Sequence, residues 1–196
     1  FKQNQVPKGD CYFRKSFLAG SMKQAEIHIA ADSAYELFIN GKPVGKGTDW
    51  HQMAAIDLLP HLVAGKNTIA VHAFNQDPGA AGLVARVLLQ EPSGTVVVHS
   101  TDTTWRTAIH AEDGWTDLDW NDSNWQFAQS YGPLGRVKPW GNKVQLAELG
   151  TSVQVADPAF EVVQILDAET AGSLIAMAFD HHGNLIVSRD KGHLLL

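Results

Sequence analysis

Between residue 10 and about residue 100, apolar and polar side chains alternate in short runs separated by Gly, Pro, Asn and Asp, a period of two rather than 3.6. In CYFRKSFLA, Cys11, Phe13 and Phe17 fall on one face and Tyr12 and Arg14 on the other, with Gly20 as a stop; this is a predicted first strand. KQAEIHIAAD alternates Ala25, Ile27 and Ile29 against Glu26 and His28, which aims those two polar residues away from the core and predicts a solvent-facing His28. AYELFINGKPVGKG places Asn40-Gly41 between two strand-like runs, and Asn-Gly accepts the positive φ values that a type I′ hairpin turn demands. In IDLLPHLVAGKNTIAVHAFNQ, a short turn or helical piece broken by Pro60 and an Ala-Gly-Lys-Asn reversal precede a strand from Thr68 to Asn75. Ile69, Val71 and Ala73 share its inner face. GLVARVLLQ then reverses at Glu91-Pro92-Ser93-Gly94 into TVVVHS, a hairpin. About seven strands fit before residue 105, and the class predicted is all-β, an antiparallel sandwich rather than a βαβ fold.

The texture changes between Thr101 and Gly141. Five of the six Trp, at 105, 115, 120, 125 and 140, lie there amid Asp, Asn, Ser and Gly, which predicts an ordered loop: Asx turns satisfy its backbone and indoles bury area in little sequence. Trp105 and Trp125 are expected as packed anchors. A boundary is set near residue 150: residues 1–150 form the sandwich, and 151–196 form a linker and a β-hairpin tail. In the tail FEVVQIL reads as a strand, and LIAMAF and LIVSR as two more joined by Asp180-His181-His182-Gly183-Asn184. The tail is relatively acidic, with 2 basic and 6 acidic residues against 13 and 15 before it. So few hairpin residues bury no core alone, and an unpaired tail strand offers a route to dimerisation.

Composition narrows the function classes. Among 196 residues, 44% are hydrophobic and 18% charged, as in a globular domain rather than a disordered chain. A net charge of -6 removes the electrostatic attraction that dominates nucleic-acid binding and disfavours an anionic membrane surface. The single Cys11 allows neither an internal disulfide nor a cysteine-based zinc or haem site. No apolar run approaches the ~20 residues of a membrane helix, and Phe1 as first residue is expected of a processed or excised chain.

The pieces CYFRKSF, AADSAYELFINGKPVGKG, AGKNTIAVHAFN, TDTTWR, GW and NDSNWQFA, in this order over most of residues 10 to 142, resemble the galactose-binding-like jelly roll. They are similar above all to the accessory sandwich domains beside α-L-rhamnosidase and β-galactosidase catalytic domains. That resemblance implies a two-sheet jelly roll acting as a non-catalytic carbohydrate-binding or spacer module of a larger secreted or periplasmic protein, sometimes with a structural calcium. From Phe160 onward the sequence is similar to the opening of a β-propeller of the sugar-dehydrogenase-like kind, which implies a truncated first blade and a propeller as the module's partner.

Sugar recognition needs an aromatic face for C–H surfaces and a few polar side chains for hydroxyls. Trp50, His51, Asn75, Trp115 and Trp140 are the candidates, because all lie at turns or strand ends in this reading. Asp117, Asp119 and Asn121 have a D-x-D-x-N spacing of oxygen ligands that suits calcium, although Asp122 stands where an EF-hand has Gly and Ala128 where it has Glu. The alternative is that these side chains cap turns ahead of DSNWQFAQ, read as a short helix beginning at Asp122 or Ser123. No HExxH, HxH or Ser-His-Asp signature accompanies the nine His, and no pair of carboxylates is fixed across a cleft, so the expected chain is not an enzyme and binds no cofactor beyond that possible calcium. A polysaccharide or oligosaccharide is the expected ligand; a structural domain that docks on the propeller without a ligand is the rival.

Overall fold

A computed structural model describes residues 5–141 and the strands 174–179 and 185–189. Two compact units make up the chain, Phe1–Leu149 and Gly150–Leu196. The first is an all-β sandwich of two antiparallel sheets, and among the described residues its helical content is one 3-10 turn, Leu59–His61.

Eight strands precede residue 105, one more than expected. They are β1 (Gly9–Ala19), β2 (Gln24–Asp32), β3 (Ala34–Ile39), β4 (Lys42–Gly47), β5 (Ala54–Asp57), β6 (Gly65–Asn75), β7 (Gly82–Gln90) and β8 (Val96–Ser100). The extra one is β5, which pairs with β2 where the sequence suggested only a turn. Two short strands follow, β9 (Arg106–Ala108) and β10 (Gln126–Phe127). The six-stranded sheet runs β10-β9-β1-β6-β3-β4 and the four-stranded sheet β5-β2-β7-β8.

The core lies between them and follows the period-two pattern. Ile69, Val71 and Ala73 of β6 share the inner face with Phe17 of β1 and Leu37 and Ile39 of β3. Ile27, Ile29, Val87 and Leu89 answer from the other sheet, all at most 1% exposed. Each such aliphatic side chain removes from water enough area to stabilise the fold by ~1.5–3 kcal/mol. The β3–β4 hairpin forms at Asn40-Gly41, with φ of 50° and 82°, as a tight turn of this sequence requires. Asn40 also ties the turn to β6: its Nδ2 donates to Asn67 Oδ1 at 2.8 Å and its Oδ1 accepts from Thr68 N at 2.9 Å.

Two expectations fail. His28 is 1% exposed, not solvent-facing. Alternation identifies the core face of a strand, but β2 is an interior strand between β5 and β7, and its second face is covered too; His28 sits opposite Ala55 and Arg86, and its Nε2 meets Glu26 Oε1. DSNWQFAQ forms no helix. A tight turn bonds Trp125 N to Asp122 O at 3.0 Å, and Gln126 and Phe127 then pair with β9, because the indole of Trp125 is drawn under the loop and the chain joins the sheet edge. Arg14 does lie on the face of β1 opposite Phe13 and Phe17, and it is 1% exposed because the Trp-rich loop covers that face.

In the second unit β11 (Leu174–Phe179) and β12 (Leu185–Arg189) pair antiparallel, as LIAMAF and LIVSR suggested. The FEVVQIL strand and the His181-His182 turn lie outside the described residues.

Candidate functional site

The Trp-rich stretch packs on the outer face of the six-stranded sheet and is built around Arg14. Tight turns close at Trp115 N to Glu112 O, Asp117 N to Gly114 O and Trp120 N to Asp117 O, as Asp- and Gly-rich sequence favours. They turn carbonyls toward β1. Arg14 donates through Nη1 to Trp115 O, through Nη2 to Asp117 O at 3.1 Å and Trp120 O at 3.3 Å, and through Nε to Asp122 Oδ2 at 3.2 Å. Its guanidinium also lies 5.2 Å from the Trp120 ring centroid. Burial lowers the Arg14 pKa from its ordinary value, and the Asp122 carboxylate opposes that shift.

Trp115, half-buried, stands edge-on to Tyr12 at 5.1 Å and to Phe38 at 5.8 Å, and stacks at 6.0 Å on Trp125. Trp105 and Trp125 are packed anchors at 2% and 9% exposure. Asp117 lies against the hairpin tip, where a Cβ on Gly41 would come within 2.7 Å of its Oδ1. Asn121 Oδ1 accepts from Ser123 N at 3.0 Å in an Asx turn. Asn121 thus closes a turn of the loop, Asp117 lies against the hairpin tip and Asp119 is exposed; among the described residues no group of three His, Cys, Asp or Glu stands together.

The other candidates gather at one end of the sandwich, where β2 meets β3, β4 meets β5 and β6 meets β7. Trp50 is half-buried and stacks on the exposed His51, ring centroids 3.8 Å apart. His51 is held by Asp49, whose Oδ1 receives the His51 backbone N–H at 2.9 Å and lies 3.1 Å from Nδ1; these two bonds hold the exposed Asp49 carboxyl below the usual range. From beneath, Trp140 Nε1 donates to Trp50 O at 2.9 Å, and the Trp140 ring lies 3.4 Å from the place a Cβ would take on Gly82. Trp140 is 5% exposed: it is the support of this loop, not its face.

Asn75, also buried, donates through Nδ2 to Pro7 O at 2.8 Å and Val6 O at 3.4 Å, fastening the incoming chain to β6. Sequence reasoning missed Asp32 and Ser33. Asp32 ends β2, and burial raises its pKa above the ordinary value, against the lowering pull of Ser33 and His51; Asp77 raises it further. Ser33 Oγ accepts from Gln76 N at 3.1 Å, so the β2–β3 and β6–β7 connections are cross-braced. The signal available was position: an Asp-Ser pair at the end of an alternating strand, level with Asn75 at the end of another. The structure thus unites Trp50, His51, Asn75 and Trp140 at the loop end and leaves Trp115 on the sheet face.

No protein-family model matches the chain. An α-L-rhamnosidase of Streptomyces avermitilis is 34% identical over 150 residues, 69% of this chain and 14% of the relative. The structure of S. avermitilis α-L-rhamnosidase complexed with L-rhamnose matches with a TM-score of 0.68 and 31% identity, covering 72% of this chain and 14% of the other. A lectin of Pleurotus ostreatus in complex with GalNAc matches at 0.63 with 29% identity, covering 72% of this chain and 42% of the lectin. The chain is therefore similar to one segment of a rhamnosidase and to part of a lectin, and it spans 14% of the length of the curated relative it matches.

Proposed function

We propose that the sandwich is a non-catalytic carbohydrate-binding module whose sugar rests against Trp50 at the loop end. The observation that carries this reading is the grouping there of the half-buried Trp50 indole, on a loop whose backbone carbonyl Trp140 holds, with an exposed imidazole stacked on that indole and the half-buried carboxylate of Asp32. An indole face accepts the C–H surface of a pyranose, while His51, Asp32 and Asn75 Oδ1, which accepts from none of the described residues, bond its hydroxyls. Similarity to a lectin complexed with GalNAc and to a segment of a rhamnosidase complexed with L-rhamnose supports the reading and names the first sugars to try.

In this reading the module serves a larger exported protein, and the hairpin β11–β12 belongs to its next domain, the propeller to which the tail sequence is similar. A glycan array followed by titration calorimetry tests it. The expected result is a sugar bound with micromolar to millimolar affinity, weakened about tenfold or more by Trp50→Ala; no sugar bound at millimolar concentration rejects it.

One observation favours a second reading. Val96 and Val98 on the edge strand β8 are 51% and 50% exposed, an apolar strip suited to a neighbouring domain. A domain that only docks would keep its affinity for the rest of its parent in Trp50→Ala and lose it in Val96→Lys/Val98→Lys.

A further inference from the structure

Along β3 and β4, on the outer face of the six-stranded sheet, lie two shallow hollows of about 370 Å³ and about 460 Å³. Phe38 and Pro43 line the first, His72, Phe74 and Thr48 the second, and Glu36 and Lys46 border both. Shared borders make them one trough. From Phe38 to Ala34 it follows four residues of strand, ~13 Å, which exceeds the width of one sugar ring. Trp115 stands edge-on to Phe38 at 5.8 Å, and the His72 ring lies on Tyr12 at 4.8 Å with Nε2 2.6 Å from Asp10 Oδ1. At the far end Thr48 is two residues from Trp50.

We propose that this trough extends the loop-end site, so that the module takes a neutral oligosaccharide chain with its terminal ring at Trp50 and its following rings along β3 and β4. The inference rests on the carbohydrate reading of the loop end. Its physical content is the same division of labour: Phe38 and Phe74 offer half-buried apolar ring surface for C–H faces, and the exposed Glu36 and Lys46 flank it with an acceptor and a donor for hydroxyls. Glu36 and Lys46 lie opposite each other across β3 and β4 and balance in charge, so the lining favours a neutral chain over a charged one.

Two ladders test it by calorimetry, α-linked L-rhamnose and β-linked galactose, each of one to four rings. The expected result is affinity rising about tenfold from one ring to three in at least one ladder, and Glu36→Ala/Lys46→Ala losing that gain while binding the single ring as well as the parent does. Both substituted residues are exposed, so the variant tests recognition rather than folding. A single ring that binds with no gain on lengthening, or a gain that survives the double substitution, overturns the trough and leaves the loop-end site standing. If no ring of either ladder binds at any length, both fall.

Discussion

Replacing Arg14 with Ala removes the one side chain on which the Trp-rich loop converges. Arg14 is 1% exposed and makes three bonds to peptide carbonyls and one to the Asp122 carboxylate. Three carbonyl bonds to a charged donor and a lost ion pair would amount to more than 5 kcal/mol if nothing relaxed. Asp122, however, is 27% exposed and rehydrates, and a loop of tight turns can open its carbonyls to water. The net cost expected is about 3–5 kcal/mol, a fall in Tm of roughly 10 °C for a unit of this size. Arg14→Lys keeps the charge but not the fork of donors, and should cost about 2 kcal/mol. Urea unfolding followed by tryptophan fluorescence gives the stability, and near-ultraviolet circular dichroism reports the order of Trp115, Trp120 and Trp125. A loss under about 1 kcal/mol with an unchanged aromatic spectrum would show that the loop is held by its own turns and indoles, and that the Arg14 hub is incidental.

Other consequences follow from single positions. Asn40→Ala should cost about 2–4 kcal/mol, and Asn40→Gly should recover only the backbone part, since both lose the bonds to Asn67 and Thr68; full recovery in thermal melts of the Gly variant would mean that the side chain matters only through φ. Gly47→Ala should cost about 1–3 kcal/mol, because its Cβ would stand 2.5 Å from a carbon of the buried Tyr35 ring; an unchanged Tm would show that ring to be free to move. His99 is held below its ordinary 6.5 by burial and by Lys15. The unfolded chain then takes up a proton that the fold resists, so stability drops as pH falls through about 6.5 toward the folded-state value, and His99→Gln should flatten that slope in urea titrations across the same range.

Much of the sandwich is written in the alternation itself, since Ile27, Ile29, Ile69 and Val71 declare a core face and Asn40-Gly41 declares its turn without help from distant residues. What alternation leaves open is the other face. His28 and Arg14 both lie on the polar side of their strands and both are buried, one within an interior strand and the other under a loop more than 100 residues away in sequence; local pattern carries no information about either cover. The loop end shows the same limit. Trp50, His51 and Asn75 stand out as side chains suited to sugars at turns, whereas Trp140 shares their chemistry and is a support. Only the meeting of three loop connections sorts them, and only it brings in Asp32 and Ser33, whose residue types alone say nothing.

The most direct measurement is an amide chemical-shift titration of the 15N-labelled protein with the best sugar from a glycan array. Binding at the loop end predicts shifts concentrated at Asp32, Ser33, Trp50, His51, Asn75 and Asp77, with the Trp50 indole among the largest. Silence at millimolar sugar, or shifts confined to β8 around Val96–Val98, would contradict it and turn attention to the apolar edge.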